Sequence, residues 1–295
     1  MLSPWSLGGL TVMELGRHVW EKIKANEVVD RAASLSYYFL FALFPTLLFL
    51  VALLGLLPVS GLWDILMTYA AKILPGDAAT LVNHTVGEVV SGARGSLLSV
   101  GALAALWGAS SGMASIITAL NVAHGVTDTR PWWLRRVIAV ALTMAFSLFT
   151  LGALLLMVFG ERIGEAVASW LGFGQLFSRV WGVLQWPVAI FLLLTGITLV
   201  FSLAPAIPWR WYWFTPGSVF ALLAWLAASL GLRMYLKYLG DYNKTYGSIG
   251  GVIVLMLWLY ASGLALLVGA QINSEVDAAR ERTRSRPRPS AAGRA

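Results

Sequence analysis

Hydroxyl, amide and phenol side chains recur inside stretches that otherwise hold only apolar residues, and they are where this chain keeps its chemistry. They fall in four groups: Ser34, Ser36, Tyr37 and Tyr38; Ser110, Ser111, Ser115, Thr118 and Asn121; Thr195, Thr198 and Ser202; and Ser248, Tyr260, Ser262, Gln271 and Asn273. In hydrocarbon each such group needs a partner. Two readings are open: hydrogen bonds between helices, worth about 0.6–2 kcal/mol each, or the wall of a water-lined cavity. No Asp, Glu, Lys or Arg lies inside the six uncharged stretches around these groups. Ionisable residues at membrane depth are the usual mark of ion or proton coupling, so a pump driven by buried carboxylates is disfavoured.

Other chemistries are excluded by what the chain lacks. It has no cysteine, hence no thiolate nucleophile and no disulfide framework. Its three histidines, His18, His84 and His124, are far apart and lack metal-ligand spacing. No GxxxxGK[ST] phosphate loop is present, so the chain holds no nucleotide of that kind. We therefore expect no cofactor, no metal site and no enzymatic activity.

The elements that position these groups follow from charge spacing. Between Arg31 and Glu275 the charged residues leave six uncharged stretches of 22 or more residues: 32–63, 95–127, 137–160, 180–209, 211–232 and 245–274. About 20 apolar residues at about 1.5 Å each cross a 30 Å hydrocarbon core. The expectation is an all-α, polytopic membrane protein with six transmembrane helices, at about 32–58, 96–123, 137–160, 180–204, 215–236 and 247–272. Composition agrees, at 58% hydrophobic, 12% charged and a mean hydropathy of +0.75, too little charge to coat a water-facing domain.

Of 21 lysines and arginines, 14 fall on one side of that arrangement, in the N-terminal segment, the second and fourth loops and the C-terminal tail. The positive-inside rule then places both termini in the cytoplasm. Trp132, Trp133, Trp209, Trp211, Tyr212 and Trp213, with Tyr235, Tyr238, Tyr242 and Tyr246 at the other face, read as interfacial anchors.

Residues 1–31 form a cytoplasmic segment in which Met13, Val19, Trp20 and Ile23 recur at helical spacing. That pattern fits a helix lying on the inner leaflet or one packed on other protein. The first span is expected to stay as an uncleaved signal-anchor. The loop at 62–94 reads as two short helices around Leu74-Pro75-Gly76-Asp77, either a lid or an inert hairpin. Residues 275–295 read as a disordered basic tail whose partner is anionic inner-leaflet lipid rather than nucleic acid. A homo-oligomer is among the assemblies the composition allows. Gly108 and Gly112, and Gly247 and Gly251 with Gly250 beside them, have the four-residue spacing that brings helices close. Pro45, Pro205 and Pro208 are candidate kinks.

Three separated motifs carry a resemblance. They are Arg31-Ala32-Ala33-Ser34-Leu35-Ser36-Tyr37-Tyr38 with Leu43-Phe44-Pro45; Leu106-Trp107-Gly108-Ala109-Ser110-Ser111-Gly112-Met113 with Leu120-Asn121; and Tyr242-Asn243-Lys244-Thr245-Tyr246-Gly247-Ser248-Ile249-Gly250-Gly251. Leu257-Trp258-Leu259-Tyr260 and Leu267-Val268-Gly269-Ala270-Gln271-Ile272-Asn273 follow the third. In these the chain resembles the BrkB/YihY family of bacterial inner-membrane proteins, once mislabelled as a ribonuclease. The resemblance implies six helices and an envelope-related role, with export of lipid or another amphiphile among the activities proposed for the family. Gln271 stands where the family usually has glutamate, and His124 where it more often has tyrosine, which weakens any proton relay at the end of the last span.

Motif and chemistry together give the candidate pathway or helix-packing residues: Ser34, Tyr37, Tyr38, Pro45, Trp107, Ser110, Ser111, Gly112, Asn121, Tyr246, Gly247, Gly250, Gly251, Tyr260, Gln271 and Asn273. The function they suggest is a passive or gradient-driven route for a lipid-like or small polar substrate, with the first, second and sixth spans as walls. The alternative is a structural or assembly factor of the envelope without transport.

Overall fold

The computed structural model of the 295-residue chain describes residues 4–55, 95–171, 175–208, 213–238 and 242–285, and the fold below is that of these residues. Their regular elements are helices: a 3-10 segment Pro4–Gly9, then α1 Val12–Ala25, α2 Val28–Gly55, α3 Gly95–Ala123, α4 Trp132–Leu171, α5 Gln175–Leu203, α6 Pro216–Tyr238 and α7 Tyr242–Ser285. The loop at 62–94, read as either a lid or an inert hairpin, lies with its His84 outside the described residues. In hydrocarbon a helix satisfies its own backbone, which is why long apolar runs take this form.

Five helices are long and apolar enough to span, over Leu106–Ala123, Trp132–Gly160, Val180–Leu203, Pro216–Leu236 and Gly251–Thr283. The protein is a multi-pass, all-α membrane protein. The first expected span, 32–58, falls on α2, which carries Pro45 in its interior. Pro205 and Pro208 lie beyond the end of α5, and the proline inside that helix is Pro187.

Local sequence sets the helix ends. Thr11 caps α1 through the backbone N–H of Glu14, and the Glu14 carboxylate accepts from the Thr11 N–H at 2.8 Å, a capping box. That bond holds the exposed Glu14 carboxyl below its ordinary range. Thr215 and Ser218 exchange backbone-to-hydroxyl bonds around Pro216, the first residue of α6, where a ring without an N–H costs nothing. Gly125, at φ +65°, turns the chain out of α3.

The helices pack as antiparallel pairs, α2 with α3, α4 with α5 and α6 with α7, around a core that includes Ala32, Leu120, Ala139, Leu142, Ala204 and Ala270. Small residues set the spacing. A Cβ on Gly108 would fall 2.7 Å from Pro45, and one on Gly112 would fall 3.1 Å from Ala42, so the ring of Pro45 sits in a notch of α3. On α6 and α7, Gly217 and Gly269 face each other backbone to backbone, and a Cβ on Gly269 would fall 2.5 Å from the Gly217 carbonyl oxygen.

One expectation is corrected by the packing. The tail does not begin as coil, since α7 continues to Ser285. Ile272 and Val276 dock on Leu7, Leu10, Leu15 and Val19, and Thr283 Oγ1 donates to the Gly8 carbonyl at 3.3 Å. Residues 286–295 lie outside the described residues. The N-terminal helix divides its apolar residues between two faces: Leu15 and Val19 are buried against α7, while Val12, Met13 and Trp20 are exposed.

Candidate functional site

The polar side chains inside the spans mostly bond to their own helix. Ser34, Ser36, Ser110, Ser111, Ser115, Thr118, Thr195 and Ser262 each donate to a carbonyl three or four residues earlier, at 2.7–3.3 Å. Each hydroxyl proton is thereby used, and what remains is acceptor capacity. Bonds between helices are fewer. Trp225 donates to Ser262 at 3.1 Å and Trp258 to Ser229 at 3.0 Å, two reciprocal indole-to-hydroxyl contacts between α6 and α7.

Location separates the candidates into three sets. The first is a shared flank of α2 and α3. Ser34, Tyr37, Tyr38 and Phe41 are exposed on α2, and Trp107, Ser111 and Thr118 are exposed on α3, with Ser115 half-buried between them. At 3.6 residues per turn, Ser34 and Phe41 lie about a quarter-turn from the Ala42 contact line and Tyr38 about a ninth of a turn from it, on the same side. Ser111, Ser115 and Thr118 lie about a quarter-turn from Gly112. Because the two helices run antiparallel, these offsets carry both sets to the same side. Tyr37 packs on Phe41 with ring centres 4.7 Å apart and planes tilted by 53°, and meets Tyr38 edge-on at 5.7 Å. These offsets give α2 and α3 one shared polar and aromatic flank, bordered on the α4 side by Arg136, and this flank between α2 and α4 is the groove. Ser110 and Gly112 are buried beside it.

The residue that ties α4 to this groove was missed in the sequence, where Arg136 counts only as loop charge. Its guanidinium lies 3.8 Å from the centre of the Trp107 ring and donates from Nη1 to Ser111 Oγ at 3.3 Å and from Nη2 to the Trp107 carbonyl. The only sequence signal was its spacing, one helical turn after Trp132.

The second set lies at the end of the bundle that carries α1. Asn121 Nδ2 donates to Asp128 at 3.0 Å, and its Oδ1 accepts from the Ala206 N–H at 2.7 Å. Arg130 donates to both carboxylate oxygens of Asp128, at 2.8 and 2.9 Å, and to the Ala204 carbonyl at 2.8 Å. The bond from Arg130 holds the Asp128 carboxyl below its ordinary range. Asn273 Oδ1 accepts from the Gly217 N–H at 2.9 Å, and its Nδ2 donates to Thr215 at 2.9 Å. Asn121 and Asn273 are thus clamps fastening the α3–α4 loop and α7 to the helices beside them. Between them opens a recess of about 340 Å³ lined by His124, Phe201, Thr215, Asn273, Asp277 and Arg280. Burial holds the His124 imidazole below its ordinary range. Gln271 is buried in the core with no partner for Oε1 among the described residues, as is the hydroxyl of Thr198; Tyr260 packs against the same core.

The third set can be read at one residue, Gly251. Gly251 is exposed, and a Cβ there meets nothing within 4 Å, so it is not a close-packing glycine. The start of α7 lies one end away from the crossing with α6, which uses Gly269. Tyr246, Gly247 and Gly250 are helical residues of α7 whose surroundings fall outside the described residues. Among the described residues no three His, Asp or Glu side chains gather as a metal site.

Sequence comparison bears on this arrangement. The pattern of the family described as virulence factor BrkB matches residues 19–294. The chain belongs to the BrkB family. A putative ribonuclease-like protein, YfkH, of Bacillus subtilis is 35% identical over 262 residues, 89% of this chain and 94% of the relative. A UPF0761 membrane protein of Stenotrophomonas maltophilia is 27% identical over 270 residues, 91% of this chain; the chain spans only 62% of that longer BrkB-family relative. No solved structure matches.

Proposed function

We propose that this BrkB-family protein lies in the bacterial inner membrane with six spans and both termini in the cytoplasm, and gives a lipid-like or small polar substrate a passive or gradient-driven route along the groove between α2 and α4. The observation that carries the reading is the polar and aromatic flank of α2 and α3. Exposed hydroxyl, phenol and indole groups on spanning helices are poorly matched to acyl chains and well matched to a headgroup or water. In this reading α2 supplies the sixth span, and the recess beside Asn273 opens toward the cytoplasm. The basic residues after Ser285 rest on anionic lipid of the inner leaflet. The ribonuclease-like name belongs to the Bacillus relative, and no catalytic role is part of the proposal.

The test is leaflet exchange. Proteoliposomes carrying the full chain are expected to move a fluorescent phospholipid between leaflets faster than empty vesicles, read by dithionite quenching, and to speed osmotic re-entry of a small polar solute. Rates equal to those of empty vesicles in both assays refute the route. The second reading, an assembly factor without transport, draws on the closely packed centre, where Ala32, Leu120, Ala139, Ala204 and Ala270 are fully buried. Topology has its own check: a reporter fused after Ala295 is expected in the cytoplasm and one at Asp77 outside, and a C-terminus outside the cytoplasm overturns the six-span arrangement.

A further inference from the structure

Arg136 is a cation without an anion. Among the described residues no carboxylate stands within ion-pair distance of it, and its Nε–H is buried with no acceptor. The Trp107 carbonyl to which it donates is already crowded, accepting from the Ser110 hydroxyl at 2.8 Å and the Ser111 hydroxyl at 3.3 Å. Its position is unusual as well. About 24 Å of helix separates Trp107 from the end of α3 at Ala123, so the guanidinium is drawn along α3, away from the end of the span that leads into the α3–α4 loop. An arginine near an interface ordinarily snorkels outward, and holding one inside costs about 2.5–3.5 kcal/mol on insertion scales. An anion beside it removes that cost.

The groove around it selects further. The hydroxyls of Ser111, Ser115 and Thr118 spend their protons on α3 carbonyls, so they present acceptor oxygens to the groove. A ligand that suits both features is anionic at one point and donates hydroxyl protons at another. We propose that Arg136 binds the phosphate of an anionic phospholipid with a hydroxyl-bearing headgroup, seated in the α2–α3–α4 groove with its hydroxyls on the Ser111, Ser115 and Thr118 stripe. The assignment rests on the reading of this groove as the substrate route and names the substrate class.

The experiment compares three probes on the purified full chain: phosphatidylglycerol, phosphatidylcholine and inorganic phosphate, each scored by native mass spectrometry and by thermal shift. Wild type is expected to prefer phosphatidylglycerol over phosphatidylcholine by about tenfold or more, the scale of one charge-assisted hydrogen bond, and to show no shift with inorganic phosphate. Arg136→Gln is expected to lose the preference. Ser111→Asp, which sets a carboxylate where Ser111 Oγ now meets Nη1 at 3.3 Å, is expected to lose it by supplying an internal counter-ion. Unchanged melting in phosphatidylcholine shows that the variants fold, and if Arg136→Gln does not fold, Ser111→Asp carries the test. Retention of the preference in either folded variant overturns the site. An equal shift with inorganic phosphate, or a response only in oligomeric state, overturns it too. Leaflet exchange separates this inference from the functional reading: Arg136-dependent binding without exchange refutes the route and leaves the site, whereas exchange with a preference indifferent to Arg136 refutes the site and leaves the route.

Discussion

Replacing Gly217 with alanine tests the crossing of α6 and α7 most directly. The added methyl collides with the carbonyl oxygen of Gly269, a backbone atom that cannot rotate aside, and falls 2.6 Å from Asn273 Oδ1. The helices must separate, and the Asn273 bond to the Gly217 N–H, now 2.9 Å, is lost with them. Overpacking of this kind costs about 1–3 kcal/mol. Stranding a buried donor costs about 1–3 kcal/mol more, against a helix-propensity gain of at most about 1 kcal/mol. The expected net effect is a destabilisation of about 1–5 kcal/mol. Gly231→Ala on the same helix is the control, since its Cβ meets nothing within 4 Å, and it is expected to leave stability unchanged or raise it. The assay is thermal unfolding of both variants in detergent, followed by the monodisperse fraction on size exclusion. Equal melting of Gly217→Ala and Gly231→Ala refutes the close-approach argument.

Gly108→Ala is expected to destabilise α2 against α3, and Pro45→Ala in the same chain to restore only part of the loss, because alanine removes the Pro45 Cγ, 2.8 Å from the added methyl, but keeps the Cβ, 2.7 Å from it; melting of the single and double variants checks it. Asp128→Asn is expected to loosen the α3–α4 loop, read as faster amide exchange over residues 124–131. The native Asp128 carboxyl sits below its unfolded value, so its stabilisation is present above the ordinary carboxylate range and is lost as pH falls through the lowered value. The wild-type loop therefore opens only in acid, while the variant shows no such dependence. Gly8→Ala is expected to free residues 4–9 for proteolysis, because Gly8 holds φ +64° and its Cβ would fall 2.6 Å from Ala279.

The spans were legible because charge spacing is a one-dimensional signal: the five helices that meet the length and hydropathy criterion overlap the expected segments at 96–123, 137–160, 180–204, 215–236 and 247–272. Asn121 and Asn273 were legible as groups needing partners, but not which partners, since Ala206 lies beyond the end of α5 and Gly217 lies in α6, both far off in the sequence. Glycine spacing misled at Gly251. The four-residue rule describes one helix, whereas close approach here joins single glycines of two helices, Gly217 and Gly269, which no local pattern links. Arg136 was hidden by its company, because a basic cluster after a loop reads as topology signal whatever one member later touches. The helical start of the tail was missed because Ile272, Val276 and Ala279 form a short apolar stripe among charges, worth little until α1 covers it.

The docking of the first helix on the close of the last has a consequence for biosynthesis. Leu15 and Val19 are made some 250 residues before the surface that buries them, Ile272 and Val276. At about 5–20 residues per second, that interval is on the order of tens of seconds. Through it the apolar side of α1 lacks the cover that Ile272 and Val276 give it in the folded chain. Closure of this contact is therefore a late step of assembly, and a chain broken off before residue 270 carries the first helix without the surface on which it closes.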